Sequence, residues 1–364
     1  MTEALAHTPL HSRHLAAGAR MVPFAGFDMP VLYGSILEEH RAVRRSAGLF
    51  DVSHMGEVRL RGRDAAALAQ RLFTNDVAGM QDGQVRYGLF CLESGGVVDD
   101  VTLYRVGADD WLFCVNASNI AGDLAWLRLV HARSDLDCAI EDQSERTALL
   151  AIQGPAALEI AAAALPGSGP APRRWRFARV ALGSGELWLS RTGYTGEDGY
   201  EIFAPAAQAG ELWDRLREAG GERLALAGLG ARDTLRTEMG YPLYGHELDR
   251  DTNPHEAGLE RFVAFERDFV GSAALAALRR SGPARRLVGL LLEAGPVARP
   301  GAPIRTAEGD GRVTSGTFAP SVERSIAIGY VPARAARAGE RVQVEIRGRR
   351  IDARITEFPF YRKR

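Results

Sequence analysis

Glu93-Ser-Gly-Gly-Val-Val-Asp-Asp-Val-Thr-Leu-Tyr104 is the stretch whose reading decides the fold. A strand-like run, Val85 to Leu92, comes before it, and another, Trp111 to Val115, comes after. Ser94-Gly95-Gly96 is turn chemistry, because glycine accepts a positive φ without a steric cost. Gly107-Ala108-Asp109-Asp110 marks the next reversal. The segment is therefore read as a three-strand antiparallel meander. Side chains alternate along a strand, so the adjacent acids Asp99 and Asp100 face opposite sides. Asp99 shares its side with Val97, Val101 and Leu103, and Asp100 shares the other with Val98, Thr102 and Tyr104.

An unpaired carboxylate in an apolar interior costs several kcal/mol or shifts its pKa. The hydroxyl and phenol beside Asp100 suit a polar pocket. The plainer alternative puts one Asp at a bulge and the other in solvent.

The chain has 364 residues, 46% hydrophobic and 25% charged, enough for two or three ordinary domains with real cores. A formal net charge of -1 leaves no basic field to hold nucleic acid. No apolar run approaches the ~18 residues of a membrane span, and no signal-peptide core opens the sequence. These features predict a soluble, cytoplasmic bacterial protein. Cys91, Cys114 and Cys138 are scattered, with no C-x-x-C, and are expected as buried strand residues. Lys363 is the sole lysine, so no core lysine can form a pyridoxal Schiff base. The arginine excess points to a GC-rich genome.

His7, His11 and His14 lie near the start, with Pro9 breaking their spacing. No metal site is assigned to them. Met21 to Tyr33 is aromatic and punctuated by proline and glycine. Ser35 is placed as the cap of a helix running to about Ser46, with Glu38 and Glu39 in the first turn and Arg44 and Arg45 in the last. Gly48 to Gly56 leads into a strand, Glu57 to Arg61. His54 in that lead-in is equally suited to catalysis and to a structural hydrogen bond. Helices are predicted over Arg63–Leu72 and Asn116–Ala132.

A second block opens near Asp142. Thr147–Ile152 has the pattern of a buried strand, and Gly154-Pro155 starts a helix. Arg191-Thr-Gly-Tyr-Thr-Gly-Glu-Asp-Gly-Tyr-Glu-Ile-Phe203 folds sharply at its glycines and enters a strand with Glu201 and Phe203 on one side. Its Gly-x-x-Gly-x-x-Gly opens no helix, so it is not a dinucleotide fingerprint. Helices follow at Glu211–Ala219 and from Gly228. Arg232 and Arg236, four apart, share a face of the latter, a pattern usually solvated. After Ser281-Gly282-Pro283, short strands at 287–293, 312–318, 326–331, 341–346 and 351–357 make a small β-barrel or sandwich. The aromatic end, Phe358 to Tyr361, is placed to fold back on a neighbour.

The sequence holds no P-loop, no G-x-S-x-G, no H-E-x-x-H and no Cys/His cluster. Carboxylates, tyrosines and arginines remain. A glutamate such as Glu201 can accept the two parallel N–H donors of a pterin edge, and an arginine can pair with a ligand carboxylate.

The chain resembles the glycine cleavage T-protein family of tetrahydrofolate-dependent aminomethyltransferases. The resemblance is carried by Val22–Phe27, Gly48–Gly56, Gly95–Asp100, Ser190–Ile202, Gly228–Asp233, Tyr244-Gly, Thr252–Pro254, Thr314–Gly316 and Pro359–Arg362. It implies an α+β fold with antiparallel sheets, three lobes around a folate cavity, and a C-terminal β-barrel. The lobes would be residues 1–141, 142–280 and 284–364. It implies Asp100 as the catalytic aspartate, Glu201 as pterin anchor and Arg232 as substrate arginine. Met55, Tyr87, Tyr104, Val115, Tyr194 and Tyr361 would line the folate site. Trp175 stands where a relative has a folate-contacting tyrosine. Tetrahydrofolate would be the co-substrate, with no metal, flavin or pyridoxal phosphate, and a lipoylated carrier protein the partner.

Related folate proteins offer other functions. Sarcosine-type dehydrogenases join this fold to a flavin domain whose fingerprint is missing from this sequence. An iron–sulfur assembly factor carries a cysteine at the place of Gly193-Tyr194. A tetrahydrofolate-dependent demethylase is separated least well by sequence. Arg44 and Arg45 offer charges to an acidic carrier.

Overall fold

The computed structural model describes residues 4–183, 185–293 and 295–363. Two compact units emerge. One comprises the chain up to Ala69, Val77–Tyr87 and Val101–Arg232; the other comprises Gln70–Asp76, Gly88–Asp100 and the chain from Asp233. No helix among the described residues is long and apolar enough to cross a membrane.

The meander is present as strands Val85–Cys91, Val97–Gly107 and Asp110–Val115. Two further strands, Gly56–Arg61 and Ala139–Asp142, continue the sheet beyond the third. Gly95 has φ +88, and the Leu92 N–H bonds to the Gly96 carbonyl across the turn. Gly96 has a different reason to be glycine. A Cβ there would lie 2.0 Å from the Arg250 carbonyl oxygen. That close approach lets the Val97 N–H reach the Thr252 carbonyl at 2.9 Å. The Gly95-Gly96 and Thr252-Asn253-Pro254 motifs are thus two sides of one contact.

The first unit has a six-stranded sheet in the order Phe177–Leu182, Gly185–Ser190, Gly199–Pro205, Thr147–Gln153, Ala47–Asp51 and Leu224–Leu226. The last pair is parallel and the others antiparallel. Leu187, Leu189, Tyr200, Ile202 and Ala204 pack into one core with residues of helices Ala157–Ala164 and Ala209–Gly220, including Ile160, Leu212, Trp213 and Leu216. Ala47–Asp51, most of which the sequence places in the lead-in Gly48 to Gly56, is a strand of its own. All five of its residues are buried, so no alternation of polar and apolar side chains marks it as a strand. The aromatic stretch after Met21 is a hairpin, Arg20–Phe24 with Phe27–Leu32, turning through Ala25 and Gly26 at φ 48 and 83. Two successive positive φ values are the signature of a turn matched to strand twist.

The helix after Ser35 runs Ile36–Arg45, but the Ser35 hydroxyl makes no capping bond. Glu39 reaches back instead and accepts the N–H groups of Tyr33 and Gly34 at 2.7 and 3.1 Å. The predicted 116–132 helix is Ile120–Ala132 after one tight turn, Ala117–Asn119. The cysteines are buried and form no disulfide among the described residues; Cys91 and Cys114 sit in strands, and Cys138 immediately precedes one.

In the second unit the terminal strands close into a six-stranded barrel, which settles the choice between barrel and sandwich. Pro303–Thr306 is the strand that sequence patterning missed. Arg236 is buried, not solvated as its spacing from Arg232 suggested. Its side chain is 1% exposed, and it donates to Glu247 and Ser315 at 2.7 Å each. The Glu247 carboxylate also accepts Thr314 Oγ1 at 2.5 Å. Thr314 and Ser315 are consecutive, so a regular strand would point them apart. A bulge between Val313 and Ser315 lets both meet the ion pair. The aromatic terminus does fold back: the Phe360 N–H bonds to the Glu238 carbonyl, and Gly240 leaves room for the Phe358 ring.

Candidate active site

Glu201 lies opposite Ser190 in the pairing of Gly199–Pro205 with Gly185–Ser190. Neighbours across a sheet share a side, as do residues two apart. Ser190, Thr192, Glu201 and Phe203 therefore occupy the side facing away from the apolar core. Tyr104, from the meander, meets them there, with its ring 5.1 Å from that of Phe203. A line of oxygens results. Thr192 Oγ1 donates to Glu201 Oε2 at 2.5 Å, Ser190 Oγ is 2.8 Å from Thr192 Oγ1, and Tyr104 Oη is 3.4 Å from Ser190 Oγ. Burial and the Glu201 charge push the Tyr104 phenol pKa far above its usual value, so it stays protonated.

The loop before Glu201 is fastened at three places. Arg191 clamps Asp198 with two parallel bonds of 2.9 and 2.6 Å, and this clamp holds the Asp198 carboxyl below the usual range. Gln153, 1% exposed, donates to the Thr192 and Tyr200 carbonyls and accepts Thr195 Oγ1. Arg44 donates to the Thr195 carbonyl and to Glu197 at 2.7 and 3.0 Å. That corrects the expected carrier-docking role of Arg44, whose side chain is only 7% exposed. Arg45 is exposed. The helix end thus supports the loop through one arginine and presents the other to solvent.

Arg232 lies with its guanidinium carbon 4.7 Å from the centroid of the Tyr194 ring, a cation–π contact. His54 is buried between Phe24 and Phe27, with ring centroids at 5.5 and 6.4 Å. Its Nδ1 has no hydrogen-bond partner among the described residues. Burial, reinforced by the Arg232 charge and opposed by Asp51, lowers its pKa to about 4, so His54 is neutral at pH 7. Asp51 is held by Thr8, His14 and the Ser53 N–H at 2.6, 2.8 and 2.9 Å. Burial would raise its pKa, but these bonds prevail and lower it.

Of the two adjacent acids, Asp99 is fully buried and Asp100 half-buried. Neither stands in solvent, and Asp99 is not without a partner. Asp100 and Tyr361 belong to the second unit; Met55, Tyr87, Tyr104, Val115, Tyr194, Glu201 and Arg232 belong to the first. Met55, Tyr87 and Tyr194 are half-buried, and Val115 is fully buried. Trp175 is 46% exposed and has φ 61. The N-terminal histidines separate. His14 bonds to Asp51 and to the Tyr33 hydroxyl, while His7 and His11 stack at 3.7 Å near Asp28. His7, His11 and Asp28 are close enough to hold an ion, but the rings lie within 5° of parallel. Ring-plane lone pairs on parallel rings do not converge on one ion without rotation.

Sequence reading overlooked Ser190, Thr192 and Gln153. The signal available was the pairing of Ser190 with Glu201, which depends on knowing that their strands are neighbours.

Residues 10–267 match the family model described as the GCVT N-terminal domain, and residues 285–362 match the glycine cleavage T-protein C-terminal barrel domain. The chain belongs to the glycine cleavage T-protein family. A Rubrobacter xylanophilus relative named aminomethyltransferase is 49% identical over 99% of this chain and 95% of its own length. A Symbiobacterium thermophilum relative of the same name is 47% identical over 100% and 99%. The crystal structure of the glycine cleavage system aminomethyltransferase T from Bartonella henselae superposes with a TM-score of 0.91 at 35% identity, covering 98% of each chain. As a family member the chain is an enzyme of the aminomethyltransferase class. The loop before Glu201 is closely packed at Gly193. A Cβ on Gly193 would lie 2.1 Å from Gln153 Oε1, and Gln153 is held by the three bonds above.

Proposed function

We propose that the protein moves the one-carbon unit of an aminomethyl-lipoyl carrier protein to tetrahydrofolate, releasing ammonia. The observation that carries this reading is likeness over nearly the full length, at 47–49% identity, to relatives named aminomethyltransferase. In the reaction, tetrahydrofolate N5 forms a bond to the methylene carbon of S–CH2–NH2. One of that carbon's bonds, to sulfur or to nitrogen, breaks as the N5 bond forms, and the other breaks as N10 bonds the same carbon and closes the ring of 5,10-methylenetetrahydrofolate. The protons of N5 and N10 leave with the dihydrolipoyl thiol and ammonia.

Asp100 is the general base that takes the folate amine proton and passes it on. Glu201 accepts the paired N–H donors of the pterin edge, an interaction its carboxylate geometry suits. Arg232 pairs with a substrate anion. Met55, Tyr87, Tyr104, Val115, Tyr194 and Tyr361 line the folate. Holding two reactants in line supplies much of the rate. The same reading divides the chain into lobes at 1–141, 142–280 and 284–364, and places the enzyme in the bacterial cytoplasm.

The test is to mix purified protein with aminomethyl-loaded lipoyl carrier and tetrahydrofolate. Ammonia and 5,10-methylenetetrahydrofolate should appear in equal amounts. Tight folate binding with no ammonia, together with methyl transfer from a sulfonium compound, would favour the demethylase reading instead.

A further inference from the structure

We infer that Thr192 is a positioning residue that fixes the pterin-anchoring carboxylate of Glu201, at the end of a hydroxyl line from Tyr104 through Ser190. The inference rests on the folate reading above and adds to it a residue that contacts no reacting atom.

Each hydroxyl has one proton to give. Thr192 gives its own to Glu201 Oε2 at 2.5 Å, a short bond of the charge-assisted kind. Ser190 Oγ lies 2.8 Å from Thr192 Oγ1, and the Ser190 hydroxyl is directed at the Tyr104 oxygen at 3.4 Å. The line ends on a carboxylate. Glu201 Oε1 takes no part in that line. Thr192 is itself held in place, because Gln153 Nε2 grips its carbonyl at 3.0 Å from a strand 39 residues earlier in sequence. A free carboxylate side chain would lose rotamer entropy on meeting a ligand. Here that loss is met on folding. Thr192 is 8% exposed and Ser190 fully buried, so water does not readily replace either donor.

The experiment measures the affinity of the holo-competent full chain for 5-formyltetrahydrofolate by calorimetry, and steady-state kinetics with loaded carrier. Thr192→Val keeps the shape and removes the donor; Thr192→Ser restores it. A hydrogen bond to a charged group accounts for a weakening of about tenfold or more in Thr192→Val, with Thr192→Ser within about threefold of wild type. The loss should appear in the folate KM, with kcat at saturating folate changed less than about threefold. Thr192→Ala serves as the second donorless variant if the valine variant does not fold. Glu201→Gln is measured alongside. Unchanged folate affinity in the donorless variants beside a weakened Glu201→Gln overturns the inference alone. Unchanged affinity in Glu201→Gln overturns the anchoring reading, and the inference with it.

Discussion

Arg191 and Asp198 are seven residues apart and joined by two parallel hydrogen bonds, so the loop between them is closed at its base. The loop carries Thr192 and Tyr194, and Glu201 begins three residues past its end. Arg191→Lys keeps the charge but loses the two-pronged geometry. The expected result is a rise of about fivefold to tenfold in folate KM with a stability loss of only about 1 kcal/mol, since both groups are partly exposed. Because the Asp198 pKa is lowered, the pair's contribution is present above the unfolded carboxylate pKa and lost as pH falls through the folded value. Urea midpoints of the two proteins should therefore converge in acid; a constant gap down to pH 2 would contradict the ion pair.

His54 should make the protein acid-labile in a range where carboxylates do not yet titrate. Its folded pKa is about 4, below the unfolded value of roughly 6.5. Between those values the unfolded chain takes up a proton that the folded chain refuses, so stability falls as pH drops. The loss from this one group between pH 7 and pH 5 is on the order of 2 kcal/mol. His54→Asn should be less stable at pH 7, yet lose correspondingly less between the two pH values. Parallel pH profiles for the two proteins would refute the buried neutral histidine.

Arg236 and Glu247 are a buried ion pair, exposed 1% and 0% respectively. Removing one partner strands the other, at a cost of about 3–5 kcal/mol. Glu247→Gln should lower the denaturation midpoint severely. The double variant Arg236→Met/Glu247→Leu should recover part of that loss, because no lone charge remains buried. A double variant no more stable than Glu247→Gln would show that shape, not charge, is what the site requires.

Asp100→Asn tests the chemistry. Folate affinity should stay within about threefold while turnover falls about a hundredfold or more, the usual range for a lost general base. Turnover near wild type would remove Asp100 from the mechanism.

The meander, the glycine turns, the helix charge pattern and the small terminal β-domain were legible in the sequence, because each follows from local rules of period two, period 3.6 or positive φ. The elements that escaped were short or evenly buried, such as Ala47–Asp51 and Pro303–Thr306. Partner choice escaped as well. Ser35 looked like a cap, but its hydroxyl makes no capping bond and Glu39 instead holds the N–H groups just ahead of the helix; Arg44 looked like a docking charge, but Glu197 holds it.

The sequence by itself determined which side of its strand each acid occupies, where the chain turns and which family it belongs to. Only the tertiary structure decided that Asp99 is the fully buried acid, that Arg236 lies in the interior and that Thr192 steadies Glu201. Alternation along a strand is a property of neighbouring residues. Burial and hydrogen-bond partners depend on residues distant in the chain, such as Gln153 beneath Thr192, and exist only once the sheets have paired.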